Sequence, residues 1–207
     1  MHLTAAWDEA VVALGGSPAG RDELERAYGG TTRSYHDTAH VMQVLRDSDA
    51  LTAGLHARVR AQVALAALAH DVVYDGKPGD DERASASWAQ QKLAAQGVAA
   101  ADADEVARLV LATIDHAADP ADVAAAALMD ADLAILASDE EAYDAYVRRV
   151  RQEYAVFDDE AWQMGRRLVL EALLENPSLF ASPAARDRWE DTARANLTRE
   201  LSSYLGT

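Results

Sequence analysis

A histidine and an aspartate stand side by side, His70 and Asp71, at the end of a nearly unbroken apolar run from Ala61 to Ala69. Taking an imidazole and a carboxylate out of water at the inner end of a helix is costly, and a divalent cation offsets that cost. Imidazole nitrogen with carboxylate oxygen suits Mn, Fe, Co, Ni, Zn or Mg. The plainer alternative is a capped helix end, with the histidine facing the C-terminal dipole. Donors of the same kind occur elsewhere. His36 and His40 share one face if their segment is helical; alternatively Asp37 caps the helix and His40 lies in its first turn. Asp130 and Asp132 interrupt an apolar stretch that ends at Leu136. Residues two apart on a helix point in nearly opposite directions, so at most one of the two faces a given ion. Asp115-His116 adds another histidine at a helix end. The other two histidines, His2 at the terminus and His56 at a polar helix junction, are read as incidental.

Helices must position these groups. Periodicity is helical almost throughout, without strand alternation, and predicts helices over about 3–14, 21–28, 38–53, 56–74, 82–96, 102–117, 121–137, 140–155, 158–175 and 184–205. Gly15 to Pro18, Gly29-Gly30, Gly76 to Gly79, Asp119-Pro120, Asn176-Pro177 and Ser182-Pro183 punctuate them. Trp189, Ala193, Leu197, Leu201 and Leu205 form a stripe that packs the last helix on the rest. With no long linker and no repeat, the expectation is a single all-α domain over residues 1–207.

Composition narrows the function. Asp plus Glu is 35 and Lys plus Arg 19, for a net charge of −16. A nucleic-acid grip built on phosphate neutralisation is not expected, nor is attraction to anionic membranes. The absence of cysteine excludes disulfides, thiolate zinc sites and a cysteine nucleophile. The segment Met1 to Gly15 has acidic residues and no basic n-region, so it does not read as a signal peptide. The apolar run before His70 is too short to span a bilayer. A cytoplasmic protein is the expectation, and a homodimer is compatible with the sequence.

Taken in order, His40, His70-Asp71 and an aspartate in an Ala-Asp-Leu setting, all in a helical chain, resemble the HD superfamily of metal-dependent phosphohydrolases. The segments Tyr35 to His40 (YHDTAH), His70 to Asp75 (HDVVYD), Asp130 to Leu136 (DADLAIL) and Tyr143 to Tyr154 are similar to the family described as predicted metal-dependent HD superfamily phosphohydrolases. The similarity extends through Gly165-Arg166 and Glu190 to Glu200, over roughly residues 30 to 205. It implies an HD-type helical bundle, with the metal-site helices in about 30–140 and the helices of 141–205 packed on them.

The resemblance also implies a divalent metal held by His40, His70, Asp71 and Asp132, with Asp130 as the alternative to Asp132. His36 becomes a pocket residue for phosphate or a second metal, and His116 resembles the extra histidines of binuclear members. The implied chemistry is hydrolysis of a nucleotide or other small phosphorylated metabolite by a metal-activated water, with Asp71 at its centre. For proton transfer the acidic loop Asp75 to Glu82 offers candidates, of which Glu82 is chosen; the plainer reading places it at a helix N-terminus. Arg33 and Arg151 are candidates for phosphate, and Tyr154 for stacking. Arg166 and Arg194 read as structural ion-pair partners. Two other functions fit the same donors: a di-iron oxygenase using His36 and His116, and a regulatory module that binds metal or nucleotide without turnover.

Overall fold

The computed structural model describes residues 2–19, 22–30, 33–115 and 118–205. Among these every regular element is helical: α1 (Leu3–Ala13), α2 (Asp22–Tyr28), α3 (Thr38–Thr52), α4 (Ala57–Ala69), α5 (Asp80–Ala95), α6 (Ala100–Leu111), α7 (Val123–Leu133), α8 (Glu140–Glu153), α9 (Asp159–Glu175) and α10 (Pro183–Leu205). Short 3₁₀ turns, Ala112–Ile114 and Ala134–Ala137, follow α6 and α7. No described helix is long and apolar enough to cross a membrane.

Aspartates start several of these helices. Asp37, Asp122, Asp139 and Asp158 each accept a backbone N–H from the first turn of α3, α7, α8 and α9, satisfying donors that a helix start leaves unpaired. Asp37 takes the N–H groups of Ala39 and His40, so His40 lies in the first turn of α3, and His36 precedes the helix.

Helix α4 is the hub. Its apolar residues from Val63 to Ala69 are buried almost all round, as expected of a helix surrounded by neighbours. Those neighbours are α1, α3, α5, α6 and α7. Alanines in the run let the flanking helices approach closely. Two apolar clusters result, one built on α1 to α7 and a second joining the end of α7 to Tyr143, Leu170, Phe180, Trp189 and Leu197 from the later helices. The stripe expected on α10 is present at Trp189, Ala193 and Leu197, which are buried, while Leu205 is exposed.

The helix predicted to run through residue 74 ends at Ala69 instead. The carbonyls of Asp71 and Val72 turn to the Arg33 guanidinium, and the backbone of Val73 pairs with the Ser85 hydroxyl. These partners take the place of the helical ladder.

Candidate metal centre

Helices α3 and α4 form a hairpin whose open end carries His40 and His70, and the C-terminal end of α7 brings Asp132 to the same place. His40 and His70 are 7% and 2% exposed. Their Nε2 atoms lie 3.3 Å apart. Asp132 Oδ1 is 3.3 Å from His40 Nε2 and 3.6 Å from His70 Nε2. Asp71 Oδ2 lies 3.5 and 3.1 Å from the same two nitrogens. Ligands bound about 2.0–2.2 Å from one ion at tetrahedral or octahedral angles stand roughly 2.8–3.6 Å from each other, and these contacts fall in that range. His40, His70 and Asp132 each offer one donor atom within 4.8 Å of the others, so this buried group could hold a metal ion; Asp71 adjoins it through the two imidazoles.

The tautomer of His70 follows from its surroundings. Its Nδ1 is 2.8 Å from the carbonyl oxygen of Ala67, which accepts only a proton-bearing nitrogen. Nε2 is therefore the atom presented to the cluster, the arrangement typical of a metal-binding histidine. Burial pulls both imidazoles toward the neutral form, but the two carboxylates outweigh it and hold His40 above its ordinary value and His70 well above. For Asp71 burial favours the protonated form; the His70 charge and the hydrogen bonds of both histidines reverse this and leave its carboxyl well below the usual range. Four ionisable groups thus gather where water is scarce, and each leans on another's charge, a balance a cation can replace.

The cluster opens on a cavity of about 250 Å³. Tyr35, Tyr74, Tyr146 and Tyr154 line it, with His36, Lys77 and Glu82 at other points of the wall. His36 stacks on Tyr74 with centroids 4.1 Å apart, and its Nδ1 is 2.6 Å from Glu153. Tyr35 and His40 are in ring contact at 4.8 Å.

Several sequence candidates take other roles. Asp130 is 1% exposed and accepts the N–H groups of Ala181 and Ser182 at 2.6 and 2.9 Å. It ties α7 to the start of α10 and does not join the imidazoles, so the choice between the two aspartates falls to Asp132. Arg33 does not line the cavity. It lies over the Tyr28 and Tyr74 rings, 5.1 and 5.7 Å from their centroids, and donates to the carbonyls of His36, Asp71 and Val72, so it shapes the His-Asp turn from behind. Arg151 also stays outside the cavity lining, bonded to the carbonyls of Tyr154 and Phe157 and to Asp159. Glu82 reaches the cavity wall, and one of its oxygens accepts the N–H of Gly79, the residue that precedes α5. Arg166 and Arg194 form the expected ion pairs, with Glu200 and Glu190. His116 lies outside the described residues.

Two residues that sequence reasoning passed over support the site. Arg149 bonds the Ser34 carbonyl and the Asp37 carboxylate, and Glu153 accepts the backbone N–H groups of Tyr35 and His36. Their positions one turn apart on α8, facing a loop more than a hundred residues earlier, leave no local trace in the sequence. Comparison with family models, curated proteins and solved structures finds no match to this chain.

Proposed function

We propose that this chain is a metal-dependent phosphohydrolase acting on a nucleotide or another small phosphorylated metabolite. The observation that carries the reading is that the His40 and His70 imidazoles meet the carboxylates of Asp71 and Asp132 at nitrogen–oxygen distances of 3.1–3.6 Å, beside a cavity that His70, Asp71 and Asp132 line. The resemblance of these residues, in their order, to the HD superfamily supports the same reading. The donor set fits a divalent cation: two imidazoles with Nε2 turned inward and two carboxylates neutralise its charge, and imidazole with carboxylate suits the borderline metals. His40, His70 and Asp132 would hold it, with Asp71 as a fourth ligand. Bound there, a divalent cation supplies a Lewis acid that polarises a phosphoryl oxygen and acidifies water.

The chain's own groups do the rest. The Ala67 carbonyl keeps the proton of His70 on Nδ1 and so leaves the Nε2 lone pair for binding. Arg33 fixes the backbone of Asp71 and Val72, and with it the direction of the Asp71 carboxylate. Glu82 is the proton acceptor at the wall: Oε2 is spent on the Gly79 N–H, and Oε1 is left to take a proton from water. Tyr154 and the stacked His36–Tyr74 pair line the cavity, where a planar substrate group would meet aromatic rings. The cavity volume of about 250 Å³ is on the scale of a small-molecule site. The direct test is elemental analysis of the purified protein coupled to a panel of phosphomonoesters, phosphodiesters and nucleotides. Stoichiometric metal and turnover that a chelator abolishes are expected; a metal-loaded protein inert across the panel would sink the proposal.

A further inference from the structure

Behind the cavity wall lies a second charged group that ligand binding by the cluster does not require. Arg166 of α9, 7% exposed, donates through Nε and Nη2 to both oxygens of Glu200 on α10, at 2.8 and 2.9 Å. Glu200 also accepts the hydroxyls of Tyr143 at 2.6 Å and Tyr204 at 3.1 Å. Burying such an ion pair contributes little net stability, because desolvation offsets the attraction. The remaining guanidinium donor, Nη1, points to the hydroxyl oxygen of Tyr146 at 3.3 Å. Tyr146 lines the cavity, and its ring meets Tyr35 edge-on at 4.8 Å, next to His40.

The direction of a proton follows. A guanidinium has only donors, so the Tyr146 oxygen must serve as acceptor toward Arg166 and its O–H must donate elsewhere. No acceptor for that proton occurs among the described residues. A donor without an acceptor at a cavity wall fits an anionic oxygen of a ligand. Cationic donors are scarce on the wall: Arg33, Arg149 and Arg151 are all committed to protein oxygens, and Lys77 is the one Lys or Arg among the lining residues.

We infer that Tyr146 is a substrate-binding residue whose hydroxyl donates to a phosphate oxygen, and that Arg166, held by Glu200, is the positioning residue that turns this donor toward the cavity. The inference rests on the phosphohydrolase reading and adds to it the group that orients the phosphate.

The test is calorimetric titration of inorganic phosphate into the metal-loaded full chain. Tyr146→Phe keeps the ring and its contact with Tyr35 while removing the donor; its phosphate affinity should fall about tenfold, the effect of one lost hydrogen bond to a charged group, with metal content unchanged. Glu200→Gln should weaken phosphate binding in the same direction, and should add nothing in a Tyr146→Phe background, because it acts through that hydroxyl. If Glu200→Gln does not fold, Arg166→Lys, which keeps the charge and loses the fork, takes its place. Unchanged phosphate affinity in Tyr146→Phe overturns the inference while leaving the hydrolase reading standing. Additive losses in the double variant overturn the positioning role. A wild-type chain that loads metal and yet fails to bind phosphate overturns the hydrolase reading, and the role of Tyr146 with it.

Discussion

The carboxylate of Glu153 lies 2.6 Å from Nδ1 of His36, across 117 residues of chain. The same side chain accepts the backbone N–H groups of Tyr35 and His36 at 2.7 and 3.0 Å. One group on α8 thus holds both the ring and the backbone of the loop that leads into His40. Replacing it by glutamine removes the charge that strengthens these bonds and should destabilise the protein by about 1–2 kcal/mol, measured by urea denaturation at neutral pH.

The same carboxylate should leave a mark on acid unfolding. Burial pushes its pKa up, but the His36 ring and the two N–H groups pull it down further, below its ordinary value of 4.5. A lowered carboxylate pKa means that the folded chain binds the proton less readily than the unfolded one. The stabilisation is therefore complete above pH 4.5 and is lost as pH falls through the lower folded value. Urea midpoints between neutral pH and pH 3 should fall less steeply for Glu153→Gln than for the wild type; parallel curves would remove Glu153 from this role.

Metal uptake should run the other way with pH. The carboxylates raise the pKa of His40 and of His70 despite burial, so protons compete with a cation for both Nε2 atoms. Without metal, these histidines contribute stability that is present below their ordinary value of 6.5 and is lost as pH rises through their raised values. With metal, affinity should climb over that rise, and binding near neutral pH should release about one proton or more. Calorimetry in two buffers of different ionisation enthalpy measures the proton count; identical heats in both would contradict the prediction.

Alanine at Asp132 or at Asp71 separates a three-residue site from a four-residue one. Loss of Asp132 should weaken metal binding by more than the roughly 10- to 100-fold typical of residues that only support a ligand. Asp71→Ala should abolish metal and turnover together while far-UV circular dichroism stays helical. Metal affinity close to the parent's in Asp71→Ala would reduce the set to His40, His70 and Asp132.

Asp130→Ala addresses the neighbouring aspartate. It strips the partner from two N–H groups at the entry to α10 and should cost about 2 kcal/mol or more in stability, with metal content unaltered. A metal-free Asp130→Ala protein that still folds would reverse the assignment of these two residues. Glu82→Gln keeps an oxygen for Gly79, so its melting temperature should stay within a few degrees of the parent's while turnover of a generic phosphoester falls by about 10²-fold or more.

Local rules carry the helices and the ligands, because both are written in neighbouring residues. The capping aspartates at 37, 139 and 158 mark helix starts, and the starts observed at 38, 140 and 159 follow them closely. The apolar run before His70 marks the buried helix. Where partners are distant, the pattern misleads. Val72 and Val73 continue the apolar periodicity, yet Arg33 and Ser85 take their backbone groups and the helix stops at Ala69. The helix expected to run to 117 closes at Leu111 into a 3₁₀ turn, with the Thr113 hydroxyl on the Val110 carbonyl. Similarly, α8 was expected to offer Arg151 to phosphate; the cation that faces the His loop is Arg149. Two arginines on one helix look alike until their acceptors, Ser34 and Asp159, are located.

The two clamps on α8 bear on where this chain could be cut. A fragment ending at Ala137 would retain every proposed ligand, from His40 to Asp132, and every residue of the larger apolar cluster. It would lack Arg149 and Glu153, and the stretch from Ser34 to Asp37 would lose both of its tethers from α8. Such a fragment would own the donor atoms without the means to hold the first of them still. The second half of the molecule thus supports the proposed site, and a minimal version of it must be built from both halves.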